Sequence, residues 1–261
     1  MILRRLGNKK KIAKEIQKYF PPHKIYIEPF FGAGGMFFNK PLSKYNLLND
    51  NDSDVFNLFI VLKENKKELY NAIEMMPVSE DLFKDWKTKE EKDPIWKAVR
   101  FLFLSNFGFQ GMPDSLHLSF NTSKKTLLNN IEKTYNKIIR QDYATTFTNV
   151  DFRELRNKIV YQKDGRNDEL KTFIYSDPPY LDTGSNYKHK GWMEKDSFDC
   201  FELTFNSGLK GAMSEFNHPF VLEEAKRRNL NIINIGERHN IRNKRTEILV
   251  TNYSNSQQSL F

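Results

Sequence analysis

The chain has 261 residues, enough for one large α/β domain or for a core domain carrying an insertion. Hydrophobic residues at 39% and charged residues at 28% exclude a wholly disordered chain, and even the apolar stretch Ile95 to Phe109 is broken by Lys97 and Arg100, short of the ~18 residues of a membrane-spanning helix. A net charge of +8 favours a polyanionic partner without identifying one.

In chain order, Ile12, Ile16, Tyr19 and Phe20 recur at helical spacing opposite Lys11, Lys14 and Lys18, which predicts an amphipathic basic helix stopped by Pro21-Pro22. Ile25 to Ile27 predicts a strand entering Glu28 to Gly35, after which Met36-Phe37-Phe38 is expected to resume as a helix. A second predicted strand, Tyr45 to Leu48, ends in Asn49-Asp50-Asn51-Asp52. From Val55 to about Tyr143 the periodicity is helical, with one loop around Asn106 to Thr122. Short strands are then predicted over 145–148, 173–175, 211–214, 231–235 and 247–252, with a helix over 219–228. This spacing predicts an α/β fold with a mostly parallel sheet, in which 1–56 and 145–261 form the core and 57–144 an inserted, mainly helical domain.

Charge is uneven along this order. Residues 1–24 hold eight basic groups against Glu15, a net +7, and residues 226–245 hold seven against Glu237, a net +6. Two basic ends around an acidic middle suit a fold that turns both termini toward one polyanion, although solvated helix faces also produce such runs. The start of the chain carries no hydrophobic signal region, and the single cysteine, Cys200, has no internal disulfide partner, so a reducing cytoplasm is expected. The five histidines show no ligand spacing, and no metal site is expected.

Two segments carry chemistry. Strand, then Gly32-x-Gly34, lets the backbone approach a ligand closely, and Asp50, at the end of the next strand, is placed to accept hydrogen bonds from the ribose of a nucleoside cofactor. An ordinary tight turn with a helix cap at Asp50 or Asp52 fits the same residues. The second segment is Asp177-Pro178-Pro179-Tyr180, where prolines end a strand and hold the backbone rigid. A carboxylate beside a prolyl carbonyl offers two fixed acceptors for the hydrogens of an exocyclic amino group, and Tyr180 offers a face on which a base can stack. A proline-terminated strand with a surface tyrosine is the plainer reading.

These segments resemble the DNA adenine methyltransferases of the Dam type, the alpha-ordered D12 class. Glu28-Pro29-Phe30-Phe31-Gly32-Ala33-Gly34 resembles their S-adenosylmethionine loop and Asp177-Pro178-Pro179-Tyr180 their catalytic tetrapeptide. Leu6-Gly7-Asn8-Lys9 is similar to their amino-terminal cofactor segment, with Arg5 where an aromatic residue is usual. Asn149-Val150-Asp151-Phe152 is similar to the segment that contacts the cofactor adenine. Asn106 to Gly111 and Phe120-Asn121 resemble elements of the target-recognition domain, while Gly111 to Ser115 departs from members that read GATC. Ser214 to Asn217 and Glu247 to Tyr253 resemble the late motifs.

The resemblance implies a Rossmann-like S-adenosylmethionine-dependent methyltransferase sheet with an inserted target-recognition domain, acting as a monomer on double-stranded DNA in a bacterial or phage-infected cell. It implies that Asp177, Pro178, Pro179 and Tyr180 are catalytic. Arg5, Gly7, Lys9, Glu28, Pro29, Phe30, Gly32, Gly34, Asp50, Asp151, Phe152 and Asp177 are then expected to bind the cofactor. Asn106, Phe109, Gln110 and Asn121 are expected to contact DNA. Lys188 and Lys190 join them from a basic loop, 183–197, expected to close around a flipped base. A methyltransferase acting on RNA adenine or on cytosine N4 stays open as an alternative, as does an inactive DNA-binding relative. Cys200 follows Asp199 in a polar stretch and reads as structural or incidental. The closing Gln257-Gln258-Ser259-Leu260-Phe261 resembles the Gln-x-x-Leu-Phe signal that docks bacterial replication proteins on the sliding clamp; a tail without that partner is the alternative.

Overall fold

In a computed structural model, which describes residues 2–5, 7–118, 123–140, 143–159, 171–182, 191–239 and 244–254, one seven-stranded sheet organises the chain. Of Gln110, Arg238, His239 and Lys244 the backbone alone is described. At the centre lies β4 (Thr172–Ser176), between β1 (Ile25–Glu28) and β5 (Lys210–Phe216); β2 (Tyr45–Asn49) and β3 (Ala144–Thr148) continue outward from β1. These five strands are parallel. On the far side β7 (Lys244–Thr251) inserts antiparallel between β5 and β6 (Asn231–His239), completing the order β3-β2-β1-β4-β5-β7-β6. That is a Rossmann-like sheet, and the chain reverses its direction of travel across the sheet between β1 and β4. Open parallel sheets bind ligands outside the carboxyl ends of the strands at such a reversal.

The helices are α1 (Ala13–Gln17), α2 (Ser53–Glu64), α3 (Lys66–Met75), α4 (Glu80–Thr88), α5 (Pro94–Phe107), α6 (Lys124–Ile138), α7 (Phe152–Leu155), α8 (Glu194–Phe205) and α9 (Pro219–Arg227). Side-chain caps set several of their starts: Asp52 accepts from Asp54 N before α2, Ser79 from Leu82 N before α4, and Asp93 from Ile95 N and Trp96 N before α5, where Pro94 occupies the first helical position. The block α2 to α6 stands between β2 and β3. It shares one continuous apolar cluster with the sheet: Phe59 of α2 stacks on Phe147 of β3 with ring centroids 5.3 Å apart, and the same cluster extends to Phe83, Trp86 and Phe103. Among the described residues no helix is long and apolar enough to cross a membrane.

Two expectations differ from the structure, and one stretch given no element is a helix. The basic helix over 9–20 reduces to a 3-10 turn, Lys9–Lys11, and the five residues of α1. Met36-Phe37-Phe38 opens no α-helix, because the 3-10 turn Phe37–Asn39 ends at Lys40, which the following Pro41 holds extended. The span around Cys200 is helix α8, burying Ser197, Cys200, Phe201, Thr204 and Phe205 along one face. Burial pushes the Cys200 thiol up to about 12, so it is an inert packing group.

Candidate active site

The loop after β1 owes its shape to its glycines. Gly32 and Gly34 take φ of +53° and +70°, where side chains are strained. A Cβ on Gly34 would stand 2.5 Å from the Phe38 ring, whereas one on Gly32 would meet nothing within 4 Å, so open space lies against that stretch of backbone. Asp50 leaves β2 and accepts from Gly32 N at 2.6 Å and Asp52 N at 2.9 Å. Burial raises its carboxyl above the usual range, and nearby Arg5 offsets part of that. Of the two acids that could cap α2, Asp52 does so and pairs with Arg5 at 3.0 Å, while Asp50 grips the glycine loop.

Asn49, which the motifs do not single out, cross-links three strand ends. Its amide donates to Pro29 O and Val150 O at 3.0 Å each, and its carbonyl oxygen accepts from Thr148 Oγ1 at 2.8 Å. Glu28 is buried and accepts from Tyr26 Oη at 2.9 Å, and burial pushes its carboxyl well above the usual carboxylate range.

Across the reversal, β4 delivers Asp177. Its Oδ1 lies 2.8 Å from Lys9 Nζ and 3.1 Å from Tyr180 Oη. Lys9, 3% exposed, also lies 3.2 Å from Glu247 Oε1 of β7 and stands 4.4 Å from the centre of the Tyr180 ring. Tyr180 Oη donates to Glu247 Oε1 at 2.6 Å. A buried ammonium is tolerated here because two carboxylates and a ring face replace its water. Lys9 reaches the Asp177 carboxylate, and Tyr180, 7% exposed, has Lys9 over its ring and Phe216 at 4.7 Å in a T-shaped contact. Burial pushes the Tyr180 phenol well above its usual range, so it stays a neutral donor.

Asp151 caps α7, accepting from Arg153 N at 2.9 Å, and Arg153 reaches on to Asp196 and Asp199 of α8 at 2.5 and 2.6 Å. Beside it Phe152 packs on Phe30 and Trp192, with centroids 5.0 and 5.7 Å apart. Trp192 and Ser197 thus belong to packed structure, Trp192 Nε1 donating to Ser197 Oγ at 2.8 Å, and the expected closing loop does not extend to them.

The expected DNA contacts separate. Asn106 is buried, its amide donating to Ile2 O at 2.8 Å and Leu102 O at 2.9 Å, so it joins the first residues to α5 and faces no ligand. Ser105 pairs with both backbone groups of Arg4, and Gly111, at φ +81°, passes so close to Arg4 O that a Cβ would fall 2.6 Å away. Phe109 is 45% exposed, with the His117 ring 5.7 Å away. Gly7 is exposed at φ +81°. Asn121, Lys188, Lys190 and the tail Gln257 to Phe261 lie outside the described residues, as does the side chain of Gln110.

The model of the D12 class N6 adenine-specific DNA methyltransferase family matches residues 6–251. The Type II methyltransferase M1.LlaDCHI of Lactococcus lactis subsp. cremoris is 25% identical over 276 aligned positions, covering 95% of this chain and 94% of that protein. The DNA adenine methylase of Vibrio cholerae is 25% identical over 194 positions, 69% of this chain and 66% of that protein. That of Escherichia coli K12 is 30% identical over 112, covering 41% and 40%.

Proposed function

The chain belongs to the D12 class N6 adenine-specific DNA methyltransferases, and on that premise we propose that it methylates the amino group of adenine within a specific duplex sequence, by base flipping, using S-adenosylmethionine. The observation that carries this is the pairing, across the β1–β4 crevice, of a glycine loop held by Asp50 with Asp177 at the end of β4.

The residues present fit the cofactor. Open space lies against Gly32, Asp50 stands beside it as an acceptor for ribose hydroxyls, and Asp151 with the Phe30–Phe152 pair suits an adenine. Asp50 and Asp177, at the ends of β2 and β4, put carboxylates on either side of the crevice, which suits a sulfonium cation. When bound, the cofactor supplies an electrophilic methyl group.

The protein's own part is to grip the acceptor. A base turned out of the duplex stacks on Tyr180 and gives its two amino hydrogens to Asp177 and the Pro178 carbonyl, which makes the nitrogen lone pair less conjugated and more nucleophilic. Unstacking costs a few kcal/mol, which phosphate contacts offset. The methylated nitrogen, acidic after transfer, loses its proton to water. Among the expected DNA contacts, Phe109 is described and exposed on the loop after α5, and it meets the duplex with Gln110 and Asn121 as further base contacts.

Tritium transfer from labelled S-adenosylmethionine tests the reading. Adenine-containing duplex DNA is expected to be labelled as N6-methyladenine, while a duplex of guanine and cytosine and an RNA of the same sequence stay unlabelled. Asp177→Ala is expected to lower the rate by at least about 10²-fold. Label in cytosine or RNA would overturn the assignment.

A further inference from the structure

Glu247 lies within β7, its Cα paired with Phe216 on one side and Gly236 on the other, and it is 1% exposed. A carboxylate this deep is costly unless charge or hydrogen bonds surround it. Its Oε1 has both, with Lys9 Nζ at 3.2 Å and Tyr180 Oη at 2.6 Å. The same two donors reach Asp177 Oδ1, at 2.8 and 3.1 Å. Lys9, Asp177, Tyr180 and Glu247 therefore form a closed ring in which two acids share two donors.

That sharing has a consequence for the acceptor grip. Oδ1 of Asp177 is engaged by Lys9 and stands 3.1 Å from the Tyr180 hydroxyl, whose one proton the two acids share, so both contacts compete with an incoming amino group for the Asp177 carboxylate. Freeing it by withdrawing Lys9 alone would strand a buried ammonium, at a cost of several kcal/mol. Glu247 removes this obstacle, because it already stands within bonding distance of both donors. Resting on the adenine-methylating function proposed for this site, we propose that Glu247 is a positioning residue that takes over Lys9 and Tyr180 as the target amino group engages Asp177. Its contribution belongs to the step from bound complex to transition state, and cofactor and DNA binding proceed without it.

The test compares Glu247→Gln and Glu247→Asp with wild type in single-turnover methylation of a short duplex under saturating cofactor. S-adenosylhomocysteine affinity, KM for DNA and the thermal midpoint are measured in parallel. Gln keeps the size and an acceptor for Tyr180 and removes the charge; Asp keeps the charge and shortens the reach. The rate is expected to fall about thirtyfold or more in Glu247→Gln and about three- to tenfold in Glu247→Asp, with S-adenosylhomocysteine affinity and KM for DNA within about threefold of wild type. A wild-type rate in Glu247→Gln, equal losses in the two variants, or a loss matched by weaker S-adenosylhomocysteine binding would each overturn the proposal. If Glu247→Gln does not fold, Glu247→Asp decides alone, since an unchanged rate there contradicts the hand-over. Failure of the wild type to methylate adenine would sink the functional reading and this inference with it, whereas altered variants beside an active wild type bear on Glu247 alone.

Discussion

The two basic blocks carry nearly the same charge, +7 over residues 1–24 and +6 over residues 226–245, and the fold uses them in different ways. In the first, Lys9 is buried against Asp177 and Glu247, Arg5 pairs with Asp52, and Lys10, Lys11, Lys14 and Lys18 remain exposed. In the second, Arg227 pairs with Glu224, and Arg228 with Glu224 and Glu202, clamping α9 to α8. Arg245 donates to Leu181 O and Asp182 O, bracing the chain just past Asp177-Pro178-Pro179-Tyr180. A run of basic residues therefore does not by itself mark a nucleic-acid face. Ion-pair partners elsewhere in the chain decide how much of the charge is left to face a partner.

The strongest way to break this contrast is to remove the central cation of each block. Lys9→Met leaves buried Glu247 and half-buried Asp177 without their ammonium and is expected to destabilise the fold by about 3–5 kcal/mol. Methylation is expected to fall by at least about 10²-fold, because the Asp177 carboxylate, proposed to grip the amino group, loses its orientation. Arg228→Met removes a cation that is 10% exposed and packed over Phe198 and Phe201, and is expected to cost about 1–3 kcal/mol by urea unfolding. Its methylation rate at temperatures where it is folded should match wild type. Equal losses of activity in the two variants would mean that both blocks serve the site.

DNA binding sharpens the same contrast with a smaller effect. Lys10→Ala with Lys11→Ala is expected to reduce the slope of log affinity against log salt by about 1 for each phosphate that these lysines neutralise in the wild type. Arg227→Ala, on the ion-paired helix, should leave that slope unchanged. A reduced slope in Arg227→Ala would place α9 on the duplex and return the second block to the role its composition suggests.

How far the molecule is legible from sequence depends on whether a feature is local. The five parallel strands declare themselves because β-rich runs end in proline, glycine or acidic turns, and Asp177 to Tyr180 and Gly32 to Gly34 are contiguous segments whose shape follows from their own residues. Glu247 is 67 positions from Tyr180, and its contact arises from strand pairing that a linear reading does not supply. Motif order assigns Asn106 and Phe109 the same expected role, yet a helix end turns one inward to Ile2 and leaves the other in solvent. Helix α8 escapes detection because Ser197, Cys200 and Thr204 dilute the apolar signal of its buried face. The helix expected after Gly34 fails for a local reason, the proline at 41, which is present in the sequence.

The smallest expected effect concerns pH. The first basic block runs up to His23 and Lys24, and burial lowers the His23 imidazole from 6.5 to about 4, with Lys40 adding to the depression while its contact with Pro21 O opposes it. The block thus gains no charge from His23 under mild acid. Between about pH 6.5 and 4 the unfolded chain takes up a proton that the folded chain refuses, so stability declines across that window as pH falls. Glu28 acts with the opposite sign: burial raises its carboxyl well above 4.5, the folded chain holds a proton the unfolded chain releases, and stability falls as pH rises above 4.5. Urea unfolding from pH 4 to 8 separates the two. His23→Gln is expected to flatten the acid side of the profile and leave its neutral side in place, and Glu28→Gln is expected to raise stability at neutral pH relative to pH 4. If His23→Gln leaves the acid side unchanged, the imidazole is protonated in the folded protein, and the first block carries one more charge in mild acid than its lysines and arginines supply.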